Sequence, residues 1–416
     1  MTRKAMPQTG LDWPALEAMM DEMAKDDVAW QRGRAPAYVF GATEQAKDIA
    51  RAAYFKFFTE NALGAKRAFF GIRRMEEEVV EMALDLFNAP AGACGNMTTG
   101  GTESILLAVK SCRDHWRAAH GGSAGRLNIV APLSLHPAFD KAASLMDIEI
   151  RRTALRADFR ADPAAMAAAI DAGTMMIVGS APCFPHGVID PIGELGALAE
   201  GRGIWLHVDA CVGGYFAPFA KILGYPIGEF DFAVPGVSSL SADLHKFGYA
   251  AKPASTIFYR SAALHRHQKF DFDTWSSGRF TTETLVGTRP GGAVAASWAL
   301  MIGLGRAGYL DIADRAMRMT RAYIDGIEAI PGLAIVGAPD LSIISYRATT
   351  GDIRAIAAEM SARGWLVNMT KTPPAIHIMM SLLHEPIRAE YLADLRAAVA
   401  AAASGASGKP EVTASY

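Results

Sequence analysis

Apolar residues recur at three-to-four spacing through LDWPALEAMMDEMAKDD, TEQAKDIARAAYFKFFTENAL and RRMEEEVVEMALDLFNAP, which predicts three helices before residue 90. The third stops at Asn88-Ala89-Pro90, because proline cannot continue a helix. From about residue 91 the period changes. LNIVAP, IEIRRTAL, TMMIVGSAP and IWLHVDA are short, β-rich runs. Between them HPAFDKAASLMD, DPAAMAAAIDAG and PIGELGALAEGRG read as helices, the second opening at Asp162-Pro163 and the third ending at glycine. DFAVPGVSSLSADLHK and ASTIFYR continue the sheet. Strands this continuously apolar are buried on both faces, and their alternation with helices predicts a mostly parallel sheet in an α/β fold. Such sheets bind ligands at the carboxyl ends of their strands.

Beyond Arg289-Pro290-Gly291-Gly292 a long helical stretch leads into LAIVGAPDLSIISYR, two strands about a turn. Helix GDIRAIAAEMSARG, strands WLVNMT and AIHIMMSLL, and helix IRAEYLADLRAAVAAA complete a smaller α+β unit. The expected organisation is a helical segment over 1–90, a large domain over 91–290, a small domain over 291–403 and a polar tail over 404–416. With 51% hydrophobic and 20% charged residues, a large core is available and a disordered chain is excluded. A net charge of -2 carries no footprint for nucleic acid. Cys94, Cys112, Cys183 and Cys211 are scattered without a C-x-x-C pair, which excludes a zinc ribbon and suits a reducing cytosol, so a cytoplasmic protein is expected. The opening MTRKAMPQTGLDW has no apolar run behind its basic residues, and no stretch of about 18 uninterrupted apolar residues follows. Neither a secretory signal nor an integral membrane segment is expected.

Four stretches could carry chemistry. In SADLHKFGY, Lys246 sits between apolar segments; burial would lower its pKa and free an amine able to form a Schiff base with an aldehyde. The alternative is a His245-Lys246 pair in a solvated loop. In HVDACVGG, Asp209 ends an apolar strand, where it either pairs with a protonated pyridine nitrogen or caps the next turn. Ala210 and Cys211 are small enough for a flat ring to approach. In TTGGTES, the paired glycines before a helix either admit an anion to the helix N-terminus or make an ordinary turn. In SLHP, His136 either stacks on a ring or is structural. Two decoys are set aside. Gly303-Leu304-Gly305-Arg306-Ala307-Gly308 fits a nicotinamide fingerprint but follows a helix instead of a strand. His265 and His267 flank an arginine with no further ligand at metal spacing, so a surface loop and no metal are expected.

In chain order, a phosphate cradle, a stacking histidine, a strand-end aspartate and a His-Lys pair resemble pyridoxal-phosphate enzymes of fold type I. TTGGTESILLAVKSCRDHW, APLSLHPAFDKAAS, CFPHGVIDPIGELGALA, LHVDACVGGYFAPF, GVSSLSADLHKFGYAAKPAS and VGTRPGGAVAASWA closely resemble the sphingosine-1-phosphate lyase family, among the group II decarboxylase relatives. The resemblance runs from about Tyr38 to about Ala400 and implies a seven-stranded, mostly parallel sheet flanked by helices. It implies pyridoxal 5'-phosphate bound through Lys246, with Asp209 on the pyridine nitrogen, His136 on the ring, and Gly101, Thr102, Cys211 and His245 around the cofactor. Gly287 and Thr288 match a loop that reaches the phosphate of the neighbouring subunit, which implies a homodimer with shared active sites. Tyr38, Asn61 and Lys252 match the substrate side. The implied reaction breaks the C2–C3 bond of a phosphorylated 2-amino-3-hydroxy long-chain base, giving a fatty aldehyde and phosphoethanolamine. Tyr249 and Lys252 are both candidates for the base that takes the 3-hydroxyl proton.

The chain departs from the family in two places. Where members carry Asn-Pro-Leu-His-Pro-Asp, it reads Asn61-Ala62-Leu63-Gly64-Ala65-Lys66-Arg67, so a histidine near the substrate phosphate is missing and Lys66 or Arg67 offers a replacement cation. Trp275-Ser276-Ser277-Gly278-Arg279 stands where members have Trp-Gln-Gly-Gly, and Arg279 is an extra charge. A pyridoxal-phosphate decarboxylase, or another C–C lyase acting on a different amine, is the alternative on the same frame.

Overall fold

A computed structural model describes residues 3–121 and 126–404. The tail expected from residue 404 lies, past Ser404, outside them. The chain order is α1 (Trp13–Ala24), α2 (Glu44–Lys56), α3 (Phe70–Leu86), β1 (Cys94–Thr98), α4 (Gly101–His120), β2 (Asn128–Pro132), α5 (Ala138–Met146), β3 (Glu149–Thr153), α6 (Pro163–Ala169), β4 (Thr174–Ser180), α7 (Ile192–Arg202), β5 (Trp205–Asp209), α8 (Ala217–Ile222), β6 (Val237–Ala242) and β7 (Ser255–Tyr259). Then follow α9 (Ala262–His265), the hairpin β8 (Phe270–Phe272) and β9 (Phe280–Thr282), α10 (Gly291–Glu328), β10 (Leu333–Ile335), β11 (Ile343–Ala348), α11 (Ile353–Ala362), β12 (Asn368–Lys371), β13 (Pro374–Met379) and α12 (Arg388–Ala403).

Strands β1 to β7 form one sheet in the order β1-β7-β6-β5-β4-β2-β3. Only β7 runs against its neighbours. Alternate side chains feed two cores, as the two-residue period of a strand requires. Ile129, Val178 and Trp205 pack with α4 and α5; Val130, Ile177 and Leu206 pack on the other face with α3 and α10. The second sheet, β10-β11-β13-β12, is antiparallel and shares a core with α11, α12 and the distal part of α10. Helix α1 buries none of its residues, and Trp13, Met20 and Met23 stand exposed.

The GLGRAG decoy lies within α10, where Gly305 takes φ 57 and kinks the helix. A positive φ favours glycine, so the motif punctuates a helix and cradles no phosphate. Among the described residues, α10 is the one helix long and apolar enough to cross a membrane, although no uninterrupted apolar run is present. Its first turns, Gly291 to Ser297, are buried inside the protein.

Candidate active site

The strand ends place the site. Thr99, Gly100 and Gly101 follow β1; Ser134 and His136 follow β2; Ser180 ends β4, Asp209 ends β5, and Asp243, His245 and Lys246 follow β6. Gly101, His136, Asp209, Cys211, His245 and Lys246 line one cavity of about 360 Å³, with Thr102 on its wall. The structure thus joins the four stretches that the sequence offered separately.

Lys246 Nζ lies 2.9 Å from Asp243 Oδ2. The expected lowering of its pKa is corrected here. Burial does press the ammonium down, but the buried Asp243 carboxylate, with Cys211 and Asp209, outweighs it, and the net direction is upward. Asp243 is 2% exposed, accepts from Ser255 Oγ at 2.5 Å and has His245 Nε2 at 3.7 Å. Burial holds the His245 imidazole below its ordinary value, and its Nδ1 accepts from Ala254 N.

Asp209 Oδ1 accepts from Cys211 N at 3.1 Å, which leaves Oδ2 for a second donor. His207, on the same strand, is buried between Ser239 and Ser241. Nδ1 of His136 accepts from Ala138 N, and burial lowers the imidazole's pKa, so the ring is neutral and apolar-faced. Gly101 opens α4 in close packing: a Cβ there would meet Cys211 Sγ at 2.8 Å and both Asp243 oxygens at 3.0 Å. The 20-residue α4 directs its N-terminus at this cavity, which favours an anion. Glu103 in its first turn accepts from Thr99 N and Oγ1, and its other oxygen accepts from Leu285 N.

Other expected residues lie elsewhere. Tyr249 is 9% exposed, packed near Phe247 with its phenol pushed up by burial, and does not line the cavity. Asn61 is a clasp: Oδ1 accepts from Leu63 N and Arg289 N, and Nδ2 donates to Thr288 Oγ1. Gly287 lines a separate groove with Lys66 and Arg289, away from this chain's own cavity. Lys66 pairs loosely with Glu283 at 3.9 Å. Lys252 lines a shallow depression with Tyr54 and Phe55; burial and then the Lys246 charge hold its pKa below the ordinary value. Tyr38 Oη reaches Asn368 Oδ1 at 3.5 Å, at a neighbouring cavity. Arg279 is accounted for by its ion pair with Asp271 across the β8–β9 hairpin. His265 and His267 are half-buried, contacting Asn96 and His115, and no metal cluster occurs among the described residues.

Sequence reasoning missed Asp243, Glu103 and Phe184. Asp243 stands three residues before Lys246, a spacing that one helical turn would bring together.

A primary amine, a strand-end carboxylate, an imidazole and a glycine-opened helix terminus on one cavity fit a flat, phosphorylated pyridine aldehyde. The pyridoxal-dependent decarboxylase conserved domain matches residues 71–349. Sphingosine-1-phosphate lyase of Arabidopsis thaliana is 41% identical over 403 residues, 95% of this chain and 73% of that protein. The L-aspartate/L-glutamate decarboxylase of Pyrococcus horikoshii is 33% identical over 391 residues, 94% and 98% respectively. The structure of a Burkholderia pseudomallei sphingosine-1-phosphate lyase matches with a TM-score of 0.91 at 35% identity, covering 97% of this chain and 94% of that one. With the lyases matched along nearly the whole chain and the site built from the segments that resemble them, this chain belongs to the sphingosine-1-phosphate lyase family of pyridoxal-dependent enzymes.

Proposed function

We propose that this protein cleaves the C2–C3 bond of a phosphorylated 2-amino-3-hydroxy long-chain base, releasing a fatty aldehyde and phosphoethanolamine. The observation that carries the reading is the convergence of Lys246, Asp209, His136 and the N-terminus of α4 on one cavity, in a chain with lyase relatives along 95% of its length. Pyridoxal phosphate, when bound there, supplies the sink for the electron pair released as the bond breaks. Lys246 supplies the amine that anchors it, and Asp243 fixes that amine's position. Asp209 would pair with a positive charge at the pyridine nitrogen, while neutral His136 would offer a face for stacking. The first turn of α4, with Gly101 and Thr102, and His245 would receive the phosphate. Neither candidate base lines this cavity: Tyr249 is withdrawn into the core, and Lys252, although its amine is pulled toward the neutral form, stands in a separate depression.

The active unit we propose is a homodimer. Gly287 lines a groove apart from this chain's own cavity, and the exposed apolar side chains of Leu63, Leu285 and Val286, near it in space or sequence, would suit cover by a partner. We place the protein in the cytosol, since its four cysteines are all unpaired thiols.

The test is the visible spectrum of the purified protein together with aldehyde release from dihydrosphingosine phosphate, with Lys246→Ala alongside. A yellow protein whose colour and aldehyde release both vanish in the variant supports the reading. The second reading, amino-acid decarboxylation, is favoured by the likeness to the Pyrococcus decarboxylase. Carbon dioxide release from aspartate, glutamate or an aromatic amino acid, with no aldehyde from the phosphate, would establish it instead.

A further inference from the structure

Glu103 makes contacts that the cofactor reading does not use. It is 6% exposed, stands in the first turn of α4 and lines the cofactor cavity. Each of its two oxygens is spent on a different segment. Oε2 accepts from Thr99 N at 2.7 Å and Thr99 Oγ1 at 2.5 Å. Oε1 accepts from Leu285 N at 2.8 Å and Val286 N at 3.3 Å, 182 and 183 residues away along the chain.

One carboxylate thus joins two segments with different tasks. Thr99 opens the Thr99-Gly100-Gly101 turn that leads into α4. The first N–H groups of that helix, on Gly101, Thr102 and Glu103, have no partner inside it and form the end of the cavity that favours an anion. Leu285 and Val286 belong to the loop between β9 and α10. Their side chains are 60% and 37% exposed, so backbone bonds to Glu103, and not burial, fasten this half of the loop. Asn61 fastens the other half through Thr288 Oγ1 and Arg289 N. The residue type is specific to the task. A carboxylate accepts at both oxygens, whereas glutamine has one accepting oxygen and an NH2 group that only donates. Glutamine at this position would lose one arm and set a donor against a donor.

We propose that Glu103 is a positioning residue for the cofactor's phosphate, and that it makes phosphate binding and the ordering of residues 285–288 one linked event. The inference rests on the pyridoxal-phosphate reading and deepens it. Linkage is reciprocal, so the factor by which the phosphate favours the ordered loop is the factor by which the ordered loop favours the phosphate. Bonds from N–H to a carboxylate are stronger than neutral ones and each arm carries two, so that factor is at least about tenfold. The pyridine ring has no part in it, because Glu103 holds only the cradle at the helix terminus.

Pyridoxal, which has the ring and the aldehyde but no phosphate, separates the two ends of the ligand. The experiment titrates pyridoxal phosphate and pyridoxal into the cofactor-free wild type and Glu103→Gln, reading affinity from the visible band. It also follows hydrogen exchange at the Leu285 and Val286 amides with each ligand bound. In the wild type, pyridoxal phosphate is expected to slow exchange at these amides and pyridoxal is not. In Glu103→Gln that slowing is lost, and affinity for pyridoxal phosphate falls at least about tenfold while affinity for pyridoxal is unchanged. A residue that only stabilised the fold would lower both affinities together. A band formed with pyridoxal shows that the variant is folded; should none form, the wild-type exchange comparison decides alone. Equal exchange with either ligand in the wild type, or an unchanged ratio of the two affinities in the variant, would overturn the inference and leave the cofactor reading standing. Tighter binding of pyridoxal phosphate by the variant, as simple repulsion between carboxylate and phosphate would give, overturns it too. No band with either ligand in the wild type sinks the cofactor reading and the inference with it.

Discussion

Replacing Asp243 with asparagine tests how the site holds its lysine. The carboxylate is 2% exposed and lies 2.9 Å from Lys246 Nζ. At an effective dielectric of about 20, unit charges at 2.9 Å attract by roughly 6 kcal/mol before the cost of desolvation is subtracted. Asparagine keeps the shape and removes the charge. The ammonium is then buried without a partner, which costs about 3–5 kcal/mol. Against a total stability of about 5–15 kcal/mol that is a large fraction. The sign with pH follows from the direction of the shift. In the wild type the folded pKa is raised above lysine's ordinary 10.5, so the pair's contribution is fully present below that value and is lost as pH rises through the folded pKa. In the variant burial is opposed only by Cys211 and Asp209, and the shift is expected to turn downward. The variant is therefore weakest near neutrality and regains stability as pH climbs toward 10.5. Urea unfolding of the cofactor-free protein at about pH 7 and about pH 9.5 measures both effects. A loss under about 1 kcal/mol at the lower pH, or one that does not shrink at the higher, would refute the reasoning.

Gly101→Val places side-chain atoms where a Cβ alone would sit 2.8 Å from Cys211 Sγ, so pyridoxal phosphate affinity falls at least about tenfold in a visible-band titration. Asn61→Ala removes three hydrogen bonds, two to residues 288–289 and one to Leu63, at roughly 1 kcal/mol each, and lowers Tm in a thermal melt. His186, His207 and His377 are each held at about 4, below their ordinary 6.5; stability from these neutral rings is present above 6.5 and is lost as pH falls toward 4. In a denaturation series across that range, His377→Phe shows the shallower slope. Arg279→Ala breaks only an exposed pair on the hairpin and leaves the rate of aldehyde release unchanged.

Much of this was legible in the sequence because the apolar strands are nearly continuous and end in residues with chemistry. IWLHVDA gave β5 and Asp209 together, and TMMIVGSAP gave β4 with Ser180 at its end. β1 was not legible: Cys-Gly-Asn-Met-Thr is short and largely polar, and it forms a strand because β7 pairs with it throughout. The β8–β9 hairpin, with three residues a side, left no period to read. Lys246 was found, but its charge state was read the wrong way, because burial was weighed without the carboxylate three residues earlier. Asn61 carried the right residue type for a polar ligand, yet its side chain is spent on a loop. Hydrogen bonds between segments 227 residues apart leave no local trace in a sequence.

The reversed direction of β7 explains why the lysine's environment is so fully built. In a sheet of parallel strands alone, every strand that reaches the site does so by its carboxyl end, and each must then turn away. Because β7 runs the other way, its first residue, Ser255, sits beside the carboxyl ends of β1 and β6. Ser255 Oγ donates to Asp243, and Ala254 N donates to His245 Nδ1. Ser255 also meets Ser104 Oγ at 2.9 Å, and Ser104 meets Thr98 Oγ1 at 2.6 Å, so one hydroxyl chain ties β1, α4 and β7 to the carboxylate that holds Lys246. A buried carboxylate is tolerated only when its oxygens are satisfied. The antiparallel strand supplies that satisfaction from the residue that opens it, beside the loop carrying Lys246. The one strand that breaks the parallel pattern in this sheet is thus what lets a charged lysine be held beside its buried carboxylate in the cavity.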